Sequence, residues 1–275
     1  MKKWIPSFQK DVYSCHYITC ATCICQGEKD LVSARDEQKS LIDAVRNLGV
    51  DVLELPPEEC SSNSIYVRDL AIVLNGVALM CRPSRDSSRD VELKTIKSVL
   101  RKELDQIIVE MKSPKGLLNG SDVLFTGKEF FVGTTGSTNT EGALAVANTW
   151  PEYPCTAIKV DTPEAHLRDF ICMGGPDLIM VNNNKESQCL LKRIERESIH
   201  KYSVLSLPDT PDCLYINGTL IHSSTLKINE ILSTKTNFSR TPICSAHLAP
   251  SSTSTSAALS SIVILIKKSK YIQKL

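Results

Sequence analysis

Ala71-Ile-Val-Leu-Asn75-Gly76-Val-Ala-Leu-Met80 sets two short apolar runs on either side of an Asn-Gly pair. Those two residue types tolerate the positive φ angles of a type I′ turn, so the stretch reads as a β-hairpin. The arrangement returns at Val123-Leu-Phe-Thr-Gly127-Lys-Glu-Phe-Phe-Val132 and at Cys213-Leu-Tyr-Ile-Asn217-Gly218-Thr-Leu-Ile221. Between hairpins the apolar spacing turns helical, with Leu93, Ile96, Val99, Leu100 and Leu104 inside 91–104 and Leu190, Leu191 and Ile194 inside 188–194. An earlier helix is expected over 34–48. Hairpins alternating with helices at irregular intervals indicate an α+β or α/β chain, and diverged repeats would explain the recurrence. The Ser-, Thr- and Ala-rich segment 249–261 reads as a loop before a last strand over 262–266.

With 42% hydrophobic and 23% charged residues, the 275-residue chain can bury a core and has none of the bias of a disordered tail, so one globular domain over 1–275 is expected. A formal net charge of +1 gives no field to attract nucleic acid or an anionic membrane. The opening MKKWIPSFQKDVYS lacks a continuous apolar run, and runs such as Ile262–Ile266 are far too short to cross a bilayer. Eleven cysteines without a secretory signal fit a reducing compartment, so a soluble cytoplasmic protein is the expectation. The triplets beginning at Asn119, Asn217 and Asn237 match the glycosylation pattern, which matters only in a secreted chain.

Several residues could carry chemistry, each with a plainer alternative. Arg68 and Asp69 interrupt the apolar run Tyr66-Val-Arg-Asp-Leu-Ala-Ile-Val73, either at a site or as a salt bridge at a strand end. Asp122, after Gly120-Ser, could serve a site or bind its own backbone in a turn. His166 could exchange protons near neutral pH or be structural. His16, His200, His222 and His247 show no metal-type spacing with one another. Cys15, Cys20, Cys23 and Cys25 form the one dense set of soft ligands, and Cys20-Ala-Thr-Cys23 has zinc-knuckle spacing. No second pair follows, however, and alternation through Tyr17, Thr19 and Ala21 fits a buried strand instead.

In order along the chain, Leu53-Glu-Leu-Pro56, Tyr66 to Val73, Arg82-Pro83, Ile108-Val-Glu-Met111 and Gly120-Ser-Asp122-Val-Leu-Phe-Thr-Gly127-Lys-Glu-Phe-Phe-Val-Gly133 resemble dimethylarginine dimethylaminohydrolases. Thr138-Asn139, Ala165-His166-Leu167 and Gly175-Pro176-Asp177-Leu178-Ile179 continue the resemblance, which covers about 34–225; residues 1–33 and 226–261 diverge. The resemblance implies a five-bladed β/α-propeller of pseudo-repeated ββαβ modules, the pentein fold, with its site in the central channel. It also implies hydrolysis of Nω-methylated arginines to citrulline and methylamines without a cofactor, a reaction on C–N bonds of linear amidines that removes inhibitors of nitric oxide synthesis. In this family a cysteine thiolate attacks the guanidinium carbon, a histidine moves protons, and acidic residues hold the cationic substrate.

On that pattern the histidine is His166, and the Asp of the family's Glu-Asp pair is Asp69. The Glu of the pair is Arg68, and the first Asp of the family's Asp-Gly-Gly-Asp turn is Asn119, while its final Asp survives as Asp122. A carboxylate-gripping arginine falls on Ser137, a substrate-holding Asp falls on Asn63, and Arg85 or Arg89 stands nearest a second family arginine. The nucleophile region aligns with Ser260-Ser261-Ile-Val-Ile-Leu265, which puts Ser261 at the cysteine position; no cysteine follows Cys244. The family's substrate-covering loop is replaced by the cysteine-rich stretch. An ion pair at about 4 Å is worth roughly 4 kcal/mol at an effective dielectric near 20, so Arg68 in place of a carboxylate should cost several kcal/mol of guanidinium affinity. The expectation is a family propeller with lost or strongly reduced hydrolysis that binds a small molecule, a methylated arginine or a replacement. The alternatives are an active enzyme, or a propeller retuned to a non-guanidinium ligand.

Overall fold

A computed structural model describes residues 15–20, 28–55, 65–83, 89–223, 239–243 and 258–267. The chain opens with β1 (Cys15–Cys20), α1 (Glu28–Asn47) and β2 (Asp51–Leu55), with β2 parallel to β1. The decisive hairpin follows as β3 (Ala71–Leu74) and β4 (Val77–Met80), antiparallel, with Asn75 at φ 51° and Gly76 at φ 80°, as a type I′ turn requires. Then α2 (Asp90–Lys102) crosses over and β5 (Ile107–Glu110) returns parallel to β4. This ββαβ unit repeats as β6 (Val123–Phe125), β7 (Phe130–Thr134), α3 (Thr140–Thr149) and β8 (Cys155–Lys159).

A short helix, α4 (Leu167–Phe170), leads into β9 (Ile171–Gly175), β10 (Leu178–Asn182), α5 (Lys185–Glu197) and β11 (Ser203–Leu207). The fourth hairpin is β12 (Cys213–Ile216) and β13 (Thr219–Ser223), with β14 (Ser239–Ile243) parallel to β13. Finally α6 (Ala258–Ser261) precedes β15 (Ile264–Lys267), which pairs antiparallel with β1. Among the described residues the result is five three-stranded sheets, the fifth joining β1 and β2 to β15. This is the pseudo-repeated propeller expected from the resemblance.

Blades adhere through apolar faces that each would otherwise expose. Leu79, Phe130, Val132 and Trp150 interlock between the first and second hairpin units, and the Trp150 indole N–H donates to the Leu74 carbonyl at 3.2 Å. Leu55, Ile264 and Ile266 pack with Val67, Leu70 and Leu100, so the closing strand joins the blade of the first hairpin. At roughly 1.5–3 kcal/mol per fully buried large apolar side chain, these seams supply the main favourable term holding the ring closed.

Five short turns stand in front of the first strand of each hairpin unit and around the axis. They are the 3-10 turns Val67–Leu70 and Gly120–Asp122, then α4, the approach to β12 at Asp212, and α6. The two 3-10 turns touch, α4 touches the second, β9 touches β12, and α6 touches both β12 and the first turn, so the contacts close into a ring.

Some local expectations needed correction. The segment read as a loop over 249–261 ends in the helix Ala258–Ser261, because the Asp212 carboxylate accepts the Leu259 and Ser260 backbone N–H groups at 2.8 and 3.0 Å. Helix α3 gave no apolar stripe; Asn139 starts it by capping Gly142 N at 3.0 Å. The β9–β10 hairpin lacks Asn-Gly and turns instead through Gly175 and Asp177, with φ of 152° and 56°. Helix α1 begins at Glu28, ahead of the expected 34, and the last strand runs over 264–267 rather than 262–266.

Candidate functional site

The best-organised polar group of the ring is Asp122, whose side chain has no exposure. Its Oδ2 accepts hydroxyls from Thr138 at 2.5 Å, Thr135 at 2.9 Å and Ser137 at 3.2 Å. Its Oδ1 accepts the Leu167 backbone N–H at 3.1 Å and faces His166 Nδ1 at 3.1 Å. Local sequence builds this hub: Asn119 caps the turn by accepting Ser121 N at 2.7 Å, while Thr138 Oγ1 accepts Asn119 N at 2.9 Å. Asn119 thus spends its side-chain oxygen on backbone, a task an Asp could equally perform.

His166 sits at the N-cap of α4, where the Asp169 carboxylate accepts its backbone N–H at 2.8 Å. Burial pulls the imidazole pKa down, but the hydrogen bond and charge of Asp122, aided by Asp69 and Asp169, overcome this and lift it to about 9. With Nδ1 oriented by Asp122 and the side chain 29% exposed, Nε2 is the end that can meet a ligand. Ser137 lies 3.5 Å from His166 Nδ1 and belongs to the hub.

The neighbouring turn is arranged differently. Asp69 accepts Ser121 Oγ at 2.7 Å and pairs with Arg89 Nη1 at 3.1 Å. Arg89 also pairs with Glu92 at 2.6 Å and donates to the Tyr66 carbonyl at 3.2 Å. The acid expected to hold a substrate guanidinium therefore already holds a resident one, and Arg89 is committed to that pair. Arg68 is buried, and its Nη1 has no hydrogen-bond partner among the described residues. Burial, then repulsion from Arg168, lowers its pKa well below the ordinary arginine value against the pull of Asp212 and Asp69.

Arg168 is half-buried, and its Nε is shut off from solvent without a partner among the described residues. Asp212 is drawn into the same cluster; burial raises its pKa to about 6 although two backbone N–H bonds and both arginines oppose the shift. Ser261 ends α6, half-buried, on a helix packed against the turn of Arg68 and Asp69. Cys81 lies near Asp69 and Asp122, but burial followed by those charges pushes its pKa well above the usual value. It remains a thiol and offers no nucleophile.

The fold thus gathers Arg68, Asp69, Asn119, Asp122, Ser137 and His166 on adjoining turns, with Ser261 on the next. Asn63, Arg85, Cys23, Cys25 and Cys244 lie outside the described residues. Cys15 and Cys20 bound a strand in the middle of its sheet. Among the described residues no group of His, Cys, Asp and Glu could hold a metal ion, and no helix is long and apolar enough to cross a membrane. Sequence reasoning missed Ser121, Arg168 and Asp212. One signal was present: Arg168-Asp169-Phe170 before β9 repeats Arg68-Asp69-Leu70 before β3.

Comparison with known proteins bears on the family and the fold. No family model matches the chain. A human protein described as putative hydrolase DDAH2 is 35% identical over 194 residues, spanning 70% of this chain and 67% of the relative. The N(G),N(G)-dimethylarginine dimethylaminohydrolase of Pseudomonas aeruginosa is 27% identical over 117 residues, 42% of this chain and 45% of that one. Among solved structures, a Cys-to-Ser variant of the Pseudomonas aeruginosa enzyme complexed with citrulline superposes with a TM-score of 0.73 at 16% identity, covering 91% of this chain and 98% of that one.

Proposed function

The chain belongs to the dimethylarginine dimethylaminohydrolase family, and from that premise we propose that it keeps the family propeller as a binding protein while having lost efficient hydrolysis of methylated arginines. The observation that carries this reading is the pairing of Asp69 with Arg89 beside a buried Arg68. A substrate guanidinium would have to displace Arg89 from Asp69 and lie against a second cation. Either step opposes binding, since like charges at contact repel by roughly as much as the family's pair would attract.

The proton inventory supports the same reading. Attack by a serine hydroxyl needs a base to take its proton, and His166 is protonated up to about pH 9. An imidazolium can stabilise a neighbouring cysteine thiolate but takes no proton from an alcohol, so it leaves a serine un-ionised. What remains is a proton donor aimed from Asp122, able to hydrogen-bond a bound carbonyl or carboxylate through Nε2. A cytoplasmic location and a bearing on nitric oxide signalling would follow only if methylarginines were turned over or sequestered.

The test is citrulline release from asymmetric dimethylarginine by the full chain, alongside R68E/S261C. The unmodified chain should be silent, and the double variant should gain at least about 100-fold over its background, the scale that one restored transition-state contact commands. Turnover by the unmodified chain, abolished by H166A, would end the reading.

A further inference from the structure

Arg68 and Arg168 stand at equivalent points of the Arg-Asp repeat, each leading into the first strand of its blade. Neither guanidinium has an acceptor among the described residues, and Arg68 Nη1 and Arg168 Nε are both buried without one. Buried arginine is otherwise almost always paired, because an unmet charged donor forfeits its hydration for nothing. The carboxylates within reach are spent elsewhere. Asp69 and Glu92 hold Arg89, Asp122 holds His166 and its hydroxyls, and Asp212 accepts Leu259 N and Ser260 N.

We propose that Arg68 and Arg168 together bind a carboxylate group of a small ligand at the axis of the propeller, with Asp212 fixing α6 as the floor of the site. The cluster is placed there by its neighbours: α6 rests on the Arg68 turn and on β12, and β12 lies against β9, which Arg168 introduces. A guanidinium presents parallel N–H donors that match the two oxygens of a planar carboxylate, a fit that spherical chloride lacks. Of the two positive charges Asp212 balances one, so a single negative charge suits the site better than a phosphate dianion. This extends the binding role proposed above by naming its ligand class. The two can fail separately, because citrulline release tests catalysis and the experiment below reads binding alone.

The experiment is thermal unfolding of the full chain in HEPES, titrated with sodium acetate, sodium chloride or sodium phosphate at matched ionic strength. Acetate should raise the midpoint saturably by roughly 2–4 °C over chloride, the shift expected for a ligand well above its Kd in a chain of this size. R68M and R168M should each abolish that difference, while R101M on exposed α2 should keep it. In anion-poor buffer R68M should unfold at or above the midpoint of the unmodified chain, since it removes an unpaired buried charge. Equal effects of acetate and chloride, phosphate outperforming acetate, or an acetate shift surviving in both variants would overturn the proposal. Should the methionine variants fail to fold, line broadening of 13C-acetate by the unmodified chain, present or absent, decides alone.

Discussion

Two adjoining sectors of the ring use similar residues to opposite ends. Around Asp122 each carboxylate oxygen is met by hydroxyl, backbone or imidazole donors, and the histidine orientation follows from that network. Around Arg68, Arg168 and Asp212 the balance is reversed: the carboxylates near the two guanidiniums are engaged elsewhere, and among the described residues Arg68 Nη1 and Arg168 Nε have no acceptor. The satisfied sector resembles a finished proton-handling device, whereas the unsatisfied one is finished only by something added. The two sectors meet on α4, which carries His166 of one and Arg168 of the other, so the difference lies in the partners each side chain finds.

The contrast can be broken most forcefully at the satisfied end. D122A would strand three hydroxyls, a backbone N–H and His166 in a buried place, and should cost about 3–5 kcal/mol in urea unfolding. A cost near that of an ordinary surface change would mean that the hub does not organise the turns. Next in size is the titration of His166. The fold keeps its proton to about pH 9 whereas the ordinary value is 6.5. Its contribution is therefore complete below about 6.5 and lost as pH rises through 9, on the order of 2–3 kcal/mol. H166N should flatten the urea midpoint over that window; an unchanged slope would assign the loss to another group.

The unsatisfied sector should titrate in a lower window. Asp212 is held protonated to about 6, against 3.8 ordinarily, so its ionisation works against the fold. No penalty exists below about pH 4; it accumulates as pH rises to about 6 and stays constant above, on the order of 3 kcal/mol. The midpoint difference between D212N and the unmodified chain should grow in favour of the variant across pH 4–6. A difference that is flat with pH would show Asp212 ionised throughout and the cluster better balanced than its burial suggests.

Much of the fold was legible because its rules are local. Asn75-Gly76 and Asn217-Gly218 adopt the positive φ values that their residue types favour, and the stripes on α2 and α5 bury the apolar positions that sequence spacing selected. The β9–β10 turn and α6 were not legible in the same way, one lacking the Asn-Gly signal and the other depending on a carboxylate some fifty residues upstream. At the site, the linear pattern singled out Arg68, Asp69, Asn119, Asp122, Ser137 and His166, which the fold brings onto adjoining turns.

What the sequence by itself determined is the set of side chains available, His166, Asp122, Asp69 and Arg68 among them, and three of the hairpins from which the blades are built. Only the tertiary structure decided which charges meet. Arg89 reaches Asp69 across 20 residues, Asp122 reaches His166 across 44, and Asp212 holds a helix 47 residues away. The reason is physical: hydrogen bonds and ion pairs fall off within a few ångströms, and only ring closure through apolar seams brings turns from different blades within that range.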